Sequence, residues 1–260
     1  MKVSVRVHSL SLGGGGNKSL PAMESHGKRL DQTSQARKVR DVAPLVHGSL
    51  DLRDAFDAHV EGCRMNNGLK RPVLHAVVQY PKELKPTEAN QRKMLNNAVE
   101  FINQSHGGDA VFAARLDRDE DGQNTVDVFY SPKYQKHTKA RGEETWISTS
   151  KHGKELCHQY RDTIIRRSKN GEFNTRPRDV GIALQEDLYH FMAKKKLKLQ
   201  ARTEKDHGMP DRVEPEVYKQ RQELARQQRQ VEQDAAEVLK LQMQLKSTQK
   251  EMADEVRAIE

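Results

Sequence analysis

A cluster of acidic residues marks the stretch RLDRDEDGQNTVDVF, residues 115–129. Its five carboxylates belong to Asp117, Asp119, Glu120, Asp121 and Asp127. Carboxylate oxygens are the ligands that hard divalent ions such as Mg²⁺ and Mn²⁺ prefer. The stretch has the pattern of a strand, a tight loop and a return strand, so Asp127 could face Asp117 across a hairpin. It therefore predicts either a Mg²⁺ or Mn²⁺ site or a polar turn with solvated charges.

The same stretch begins like a calcium-binding loop. Asp117, Asp119 and Asp121 before Gly122 match the first half of the EF-hand pattern, D-x-D-x-D-G. The twelfth position is Val128, where a bidentate glutamate is needed, and the flanks have strand patterns instead of helical ones. These departures exclude an EF-hand.

Periodic patterns around the acidic stretch predict an α+β domain, an antiparallel sheet with helices packed on one face. Strand patterns cover residues 2–10, 72–80, 110–116 and 126–130. Helical stripes begin near Ser49, Thr87, Ser150 and Pro177. Residues 17–48 are rich in Lys, Arg, Ser and His and show little periodicity, so we expect an irregular basic segment that a ligand would order.

The C-terminal part has a different pattern, which predicts a domain in residues 1–210 and a helical tail in residues 211–260. An apolar row with heptad spacing runs through Leu224, Val231, Val238, Leu245, Met252 and Ile259. The second row that a coiled coil needs is poor, because glutamines separate Ala235 from Val256. The tail is therefore a coiled-coil homodimer, a single helix on another protein partner, or a solvated helix.

The positive charge belongs to the first part of the chain. Residues 1–210 contain 36 Lys and Arg against 26 Asp and Glu, a net charge of +10, and the tail carries −2. This balance is typical of a protein that meets a phosphate backbone. Cys63 and Cys157 have neither ligand nor disulfide spacing, and no apolar run approaches the ~18 residues of a membrane span. We expect a cytoplasmic protein that binds nucleic acid and no membrane.

The order of the segments resembles that of the plasmid mobilisation and recombination relaxases (Mob/Pre, MobV-type), which belong to the HUH endonuclease class. VRVHSLSLGG leads into ESHGKR, and a strand, a helix and a strand lead to the ARLDRDE and TVDVFYSP hairpin. WISTSKHGKEL, GIALQEDLYHFM and RVEPEVYK follow before the helical tail. Each motif is weak alone, and their order carries the resemblance.

The resemblance implies an HUH relaxase-like fold and a strand-transfer reaction on single-stranded or hairpin origin DNA. A nucleophile attacks a phosphodiester and leaves a covalent 5′-phosphoryl enzyme, while a divalent ion polarises the phosphate. His26 matches the family's nucleophilic histidine. The basic residues that would hold DNA are Lys28, Arg29, Arg37, Lys38, Arg40 and Arg115.

The sequence departs from the family at its metal-binding histidines. Arg115 stands at the first of these positions, and the return strand offers Asp127 and Phe129. Either the site has been rebuilt from Asp117, Glu120 and Asp127 for Mg²⁺ or Mn²⁺, or only a DNA-binding scaffold remains.

Two further interpretations stay open. Tyrosine is the nucleophile elsewhere in the class, so Tyr130 and Tyr134 are alternatives to His26, although each is more typical of a packing or DNA-stacking residue. The chain could also be a structural protein of a mobile element or phage that assembles through its tail.

Overall fold

Five strands with alternating side chains form an antiparallel sheet in the computed structural model, which describes residues 2–14, 16, 18–168, 170–197 and 215–259. The strands are β1 (Ser4–Leu10), β2 (Leu45–His47), β3 (Val73–Gln79), β4 (Val111–Leu116) and β5 (Thr125–Tyr130). Their order in the sheet is β1-β3-β5-β4-β2. The acidic stretch thus lies between β4 and β5, which are paired neighbours, as predicted.

Seven helices are described in the part of the chain before residue 198. They are α1 (Leu20–Gly27), α2 (Gln32–Arg37), α3 (Leu52–His59), α4 (Glu88–Ser105), α5 (Lys151–Gln159), α6 (Arg161–Arg167) and α7 (Pro177–Lys194). Helix α4 forms where its sequence pattern predicts a helix. The Thr87 side chain caps it by accepting a hydrogen bond from the Asn90 amide, and the predicted apolar stripe is buried.

The sheet buries both of its faces, at least in part. Ala76, Val126 and Val128 pack on the side of α4 and α7. On the opposite side, Phe129 packs with Leu20 of α1 and Phe56 of α3. The predicted α+β class is confirmed. The sequence predicted helices on one face of the sheet, and α1 and α3 cover part of the other face as well. Because side chains alternate along a strand, Asp127 faces the same side as Phe129.

The expectation of irregular structure in residues 17–48 was wrong. The Ser19 hydroxyl caps α1, and the Asp31 carboxylate caps α2 by accepting from the Ser34 amide at 2.9 Å. Leu20 is fully buried in the core, and Leu45 pairs with Leu116 of β4. Local caps and distant packing order this segment, and neither gives a long periodic pattern.

Two other features differ from the sequence-based expectation. A separate hairpin of β6 (Lys133–Thr138) and β7 (Gly142–Ile147) was not predicted, because its residues are mostly polar and only Ile147 is buried. The helical pattern that begins near Ser150 is two helices, α5 and α6, which are interrupted at Tyr160.

The chain divides into two compact units, Met1–Arg202 and Thr203–Glu260. The second contains one long helix, α8 (Pro215–Ile259), whose heptad row exposes Leu224, Val231, Val238, Leu245 and Met252. The predicted boundary at residues 210 and 211 lies outside the described residues. Within the described ranges, none of the helices combines the length and apolar content needed to cross a membrane.

Candidate functional site

The register of β4 and β5 places Arg115 directly opposite Asp127. The Arg115 Nη2 atom lies 3.5 Å from Asp127 Oδ2, and its Nε atom lies 3.4 Å from Asp117 Oδ2. Carboxylates from both strands therefore converge around one guanidinium group.

Arg115 also joins the sheet to α1. Its Nη1 atom donates to the Met23 carbonyl at 2.9 Å, and the guanidinium lies 5.7 Å from the centre of the Phe129 ring. The residue is 2% exposed. Arg115 was predicted to bind DNA; in the structure it is buried, and it contacts carboxylates and a backbone carbonyl.

Asp127 is held by a histidine that sequence reasoning missed. His75 Nε2 donates to Asp127 Oδ1 at 2.8 Å, and the His75 ring stacks on Phe129 with 4.8 Å between ring centres. Burial raises the pKa of Asp127, but the His75 hydrogen bond and the charge of Arg115 outweigh it and hold the pKa well below its usual range. The only signal in the sequence was a histidine inside the apolar strand PVLHAVVQY.

Arg29, which follows α1 in the chain, forms ion pairs with the acidic loop. It donates from Nε and Nη2 to the two oxygens of Asp119, at 2.8 and 2.5 Å, and its Nη1 atom lies 3.1 Å from Glu120 Oε1. Its φ of 59° is uncommon for a residue with a side chain. These ion pairs offset that strain, and they mean that Arg29 here contacts carboxylates instead of phosphate.

His26 lies between two carboxylates at the end of α1. Its Nδ1 atom is 3.4 Å from Asp31 Oδ2, and its Nε2 atom is 3.7 Å from Glu120 Oε1. The side chain is 19% exposed, so part of it is accessible from solvent. The predicted nucleophile and the acidic loop therefore belong to one site.

Three residues of this site could hold a cation together. His26, Asp117 and Glu120 each offer a ligand atom, and these atoms lie within 4.8 Å of one another. Asp117 Oδ1 and Glu120 Oε1 are buried and accept no well-aligned hydrogen bond from any described residue. Of the predicted metal ligands, Asp117 and Glu120 are thus brought together, whereas Asp127 is paired with His75 and Arg115.

At the centre of the site, carboxylates outnumber the guanidinium groups that contact them. Arg29 and Arg115 contact the carboxylates of four residues, Asp117, Asp119, Glu120 and Asp127. The fifth carboxylate, that of Asp31, lies beside His26, and the charges of Arg37 and Lys38 act on Glu120 and Asp119 from the rim. Burial raises the pKa of Asp117, with a contribution from the charge of Asp127 that the charge of Arg115 opposes. The crowding of carboxylates gives the site an electrostatic preference for a further cation.

The other predicted DNA-binding residues follow α1 or lie on and after α2. Arg40 contacts the Arg118 and Glu120 carbonyls through its side chain, and Lys38 pairs with Asp41 at 2.7 Å. Lys28 lies 2.6 Å from carboxylate oxygens of both Glu24 and Asp51. Lys38 and Arg40 are exposed, Arg37 is half-buried, and together they form the rim of the site on and after α2.

Strand β1 extends the same face of the sheet to its edge. His8 pairs with His75, with ring centres 5.3 Å apart, and the exposed Arg6 pairs with Val77, which in turn pairs with Asp127. Because directly opposed residues share a face, Arg6 and His8 lie on the side of Asp127. Sequence reasoning identified neither as a site residue.

The two tyrosines have different surroundings. Tyr130 is fully buried, and burial raises the pKa of its hydroxyl, so it is excluded as a nucleophile. Tyr134 is half-buried on β6, the strand that follows β5 in the chain.

No family model and no curated protein sequence matches the chain significantly. Among solved structures, it is similar to the Mn-bound MobM relaxase domain (MOBV; Mob_Pre) in complex with plasmid pMV158 oriT DNA. For the pH 4.6 structure the TM-score is 0.51 and the identity 13%, over 85% of this chain and 100% of that one. For the pH 5.5 structure the values are 0.52 and 14%, over 85% and 99%. For the pH 6.8 structure with a 3′-thiophosphate they are 0.53 and 14%, over 85% and 98%. The chain therefore has the fold of a relaxase domain.

Proposed function

We propose that this protein binds single-stranded or hairpin DNA of a plasmid origin and cuts one strand by transesterification at His26. The proposal rests chiefly on one observation: His26 lies beside the buried acidic centre of a relaxase fold, with Glu120 3.7 Å from its Nε2 atom. The relaxase domains of the same fold are bound to origin DNA. The net charge of +10 in residues 1–210 supports a phosphate-rich partner.

The carboxylates at the centre of the site also indicate that DNA binding there requires a cation. A scissile phosphate would meet more carboxylates than guanidinium groups, so it would be repelled from the apoprotein. A divalent cation removes this repulsion. The similar relaxase domains are Mn-bound, which supports the same requirement here.

The residues present fit such an ion. Mg²⁺ and Mn²⁺ are commonly held by one or two carboxylates together with substrate phosphate. Asp117 Oδ1 and Glu120 Oε1 are buried and accept no aligned hydrogen bond from any described residue. Arg29 nitrogens lie 3.4 and 3.1 Å from these two oxygens, so an ion that binds here would take the place of the Arg29 guanidinium group. When bound, the ion would polarise the scissile phosphate and stabilise the charge that develops on it. His26 is excluded from the ligand set in this mechanism, because a nitrogen that binds a cation has no lone pair left for phosphorus.

The reaction then follows from the position of the His26 ring. In the tautomer whose Nδ1–H faces Asp31, the lone pair is on Nε2. A bond forms between Nε2 and phosphorus, and the bond between phosphorus and the 3′ oxygen breaks. The 3′ oxygen takes a proton from solvent, and the 5′-phosphoryl strand stays on His26. Asp31 is a positioning residue that holds the ring.

The test is a strand-cleavage assay on labelled hairpin oligonucleotides with Mn²⁺, in which the covalent adduct is resolved on a denaturing gel. We expect His26→Ala to abolish the adduct. We expect Asp117→Asn and Glu120→Gln to raise the Mn²⁺ concentration that cleavage requires. His190→Ala is the matched control, because His190 is exposed on α7 with 53% of its side chain accessible. Cleavage that survives His26→Ala would remove His26 from the mechanism, and cleavage of unchanged Mn²⁺ dependence in Asp117→Asn and Glu120→Gln would remove the proposed ligands.

A second candidate function is a DNA-binding or assembly protein without catalysis. It is favoured by the guanidinium groups of Arg29 and Arg115, which already contact Asp117, Asp119 and Asp127. It predicts salt-sensitive DNA binding that is unchanged by EDTA, and no adduct in the cleavage assay. An affinity that does not weaken between low and physiological salt would count against it.

A further inference from the structure

The hairpin of β6 and β7 combines exposed positive charge with aromatic rings outside the core. Tyr134 pairs with Trp146, and Lys136 pairs with Glu144 two residues further along the ribbon. Because side chains alternate, these four residues share one face of the hairpin. Neither Tyr134 nor Trp146 belongs to a hydrophobic core cluster of the described residues. The two rings are therefore not needed to fill the interior.

Cations lie over both rings. The Lys136 Nζ atom is 4.4 Å from the centre of the Trp146 ring. The Lys151 Nζ atom is 5.5 Å from the centre of the Tyr134 ring, and it also pairs with Glu155 at the surface of α5. A base that stacks on such a face would displace the amine, and the displaced amine could then contact the phosphate of the same nucleotide. Lys139 and Arg141, in the turn of the hairpin, are exposed and extend the positive surface.

The acidic residue on this face is neutralised by its neighbours. Glu144 Oε1 lies 2.6 Å from Arg64 Nε and 3.8 Å from Arg141 Nη1, and Glu144 Oε2 accepts from Trp146 Nε1 at 3.3 Å. The carboxylate is 12% exposed. Its contacts orient the indole ring and leave the face with a positive balance.

The hairpin follows the candidate active site along the chain. Lys133, where β6 begins, is six residues beyond Asp127, and an extended chain of that length spans at most about 21 Å. This distance is short enough for one DNA strand to span.

We propose that this face binds unpaired nucleotides of the DNA, with Tyr134 and Trp146 as stacking platforms and Lys136, Lys151 and Arg141 as phosphate contacts. The proposal rests on the proposed function, and it assigns the single-strand preference to a surface separate from the catalytic centre. Unpaired bases are the expected occupant, because the ring faces can stack only on bases that are not enclosed in a duplex.

Trp146 is the only tryptophan of the chain, so its fluorescence reports directly on this face. We would titrate the full-length protein with oligo(dT) and with a duplex of equal length, and record tryptophan emission and the anisotropy of labelled DNA. Oligo(dT) should bind and quench the emission, and the duplex should quench it less. Tyr134→Ala and Trp146→Ala should each weaken single-strand binding by about 5- to 150-fold. Lys136→Gln should lower the slope of log affinity against log salt by about 0.7.

Two control variants test whether the hairpin still folds and whether removal of an exposed aromatic side chain elsewhere has an effect. Trp146→Phe keeps an aromatic face and should bind within a few-fold of wild type, which separates stacking from collapse of the hairpin. Tyr218→Ala removes an exposed tyrosine from α8, where 51% of the residue is accessible, and should change nothing.

The outcomes separate this inference from the proposed function. If the wild type binds oligo(dT) without quenching, and the hairpin variants bind as well as it does, the inference is overturned and DNA binding stands. Equal quenching by duplex and single strand would also overturn it. If the wild type binds no DNA at all, the proposed function fails, and this inference fails with it.

Discussion

Arg115 shows at the scale of one residue how the site is held together. Its buried guanidinium group contacts carboxylates of both strands and the backbone of α1. A buried charge is tolerated only with partners, so Arg115, Asp117 and Asp127 depend on one another. The identity of the residue was visible in the sequence, but its partners were not.

Replacing Arg115 by methionine should destabilise the fold by about 3–5 kcal/mol at neutral pH, because Asp117 and Asp127 would lose their common counter-charge. Urea unfolding followed by circular dichroism measures this difference. Arg92→Met is the control: Arg92 pairs with Glu88 on the exposed face of α4, with 63% of its side chain accessible, and the loss should stay below about 1 kcal/mol. If Arg115→Met also lost less than about 1 kcal/mol, Arg115 would not be the common counter-charge of Asp117 and Asp127.

Asp117 and Asp127 should respond to pH with opposite signs. The pKa of Asp127 is lowered in the fold, so its stabilising effect is complete above the unfolded pKa of about 4 and is lost as pH falls through the lower folded pKa. The pKa of Asp117 is raised, so its cost in stability begins as pH rises through the unfolded pKa of about 4 and is complete above the higher folded pKa.

Asp127→Asn should therefore be less stable than wild type at neutral pH, and Asp117→Asn more stable. Both differences should shrink below about pH 4. Unfolding curves at several pH values check this, and equal signs for the two variants would refute the assignment.

At the scale of secondary structure, helix α1 approaches the sheet closely where it ends. A Cβ atom on Gly27 would lie 2.0 Å from Arg115 Nη1, so the glycine is required by the approach of the guanidinium group. The hairpin of β6 and β7 is the opposite case, since it forms from polar residues with little burial.

Gly27→Ala should displace Arg115 from the Met23 carbonyl and cost about 1–3 kcal/mol. Gly181→Ala is the control: it lies in α7 with nothing within 4 Å of the added atom, and it should stabilise the protein by up to about 1 kcal/mol. Thermal unfolding of both variants measures these differences. Equal changes in melting temperature would show that the close approach of α1 to Arg115 does not affect stability.

At the scale of the whole molecule, the long helix α8 carries an apolar row that is open to solvent. Leu224, Val231 and Leu245 are each about 60% exposed. Such a row gains stability by burial against a partner, and a second copy of the chain is the simplest one. Dimerisation through α8 stays a prediction.

Sedimentation of the full chain should show a dimer that residues 1–210 alone do not form. Val231→Lys, which puts a charge into the row, should shift the full chain toward monomer, whereas the control Gln233→Lys, two positions away and outside the row, should not. A monomer at all concentrations would leave a different protein partner or a solvated helix.

The elements that could be predicted are those with their signals close together in the chain. The cap at Thr87 and the stripe of α4, the strand around His75 and the heptad row of α8 all depend on neighbours within a few residues. Residues 17–48 and the hairpin of β6 and β7 have no such pattern. Their order comes from distant contacts, for example Leu20 in the core and Arg64 beside β7.

The amino-acid sequence alone determined the α+β class, the order of segments and the excess of positive charge before the tail, because these depend on composition and local periodicity. Only the tertiary structure decided which charges meet. Strand register set Arg115 against Asp127, and the packing of α1 brought His26 to Glu120, 94 positions away in the chain. Chemistry at a site depends on distances of a few ångströms between such residues, and spacing along a chain does not define those distances.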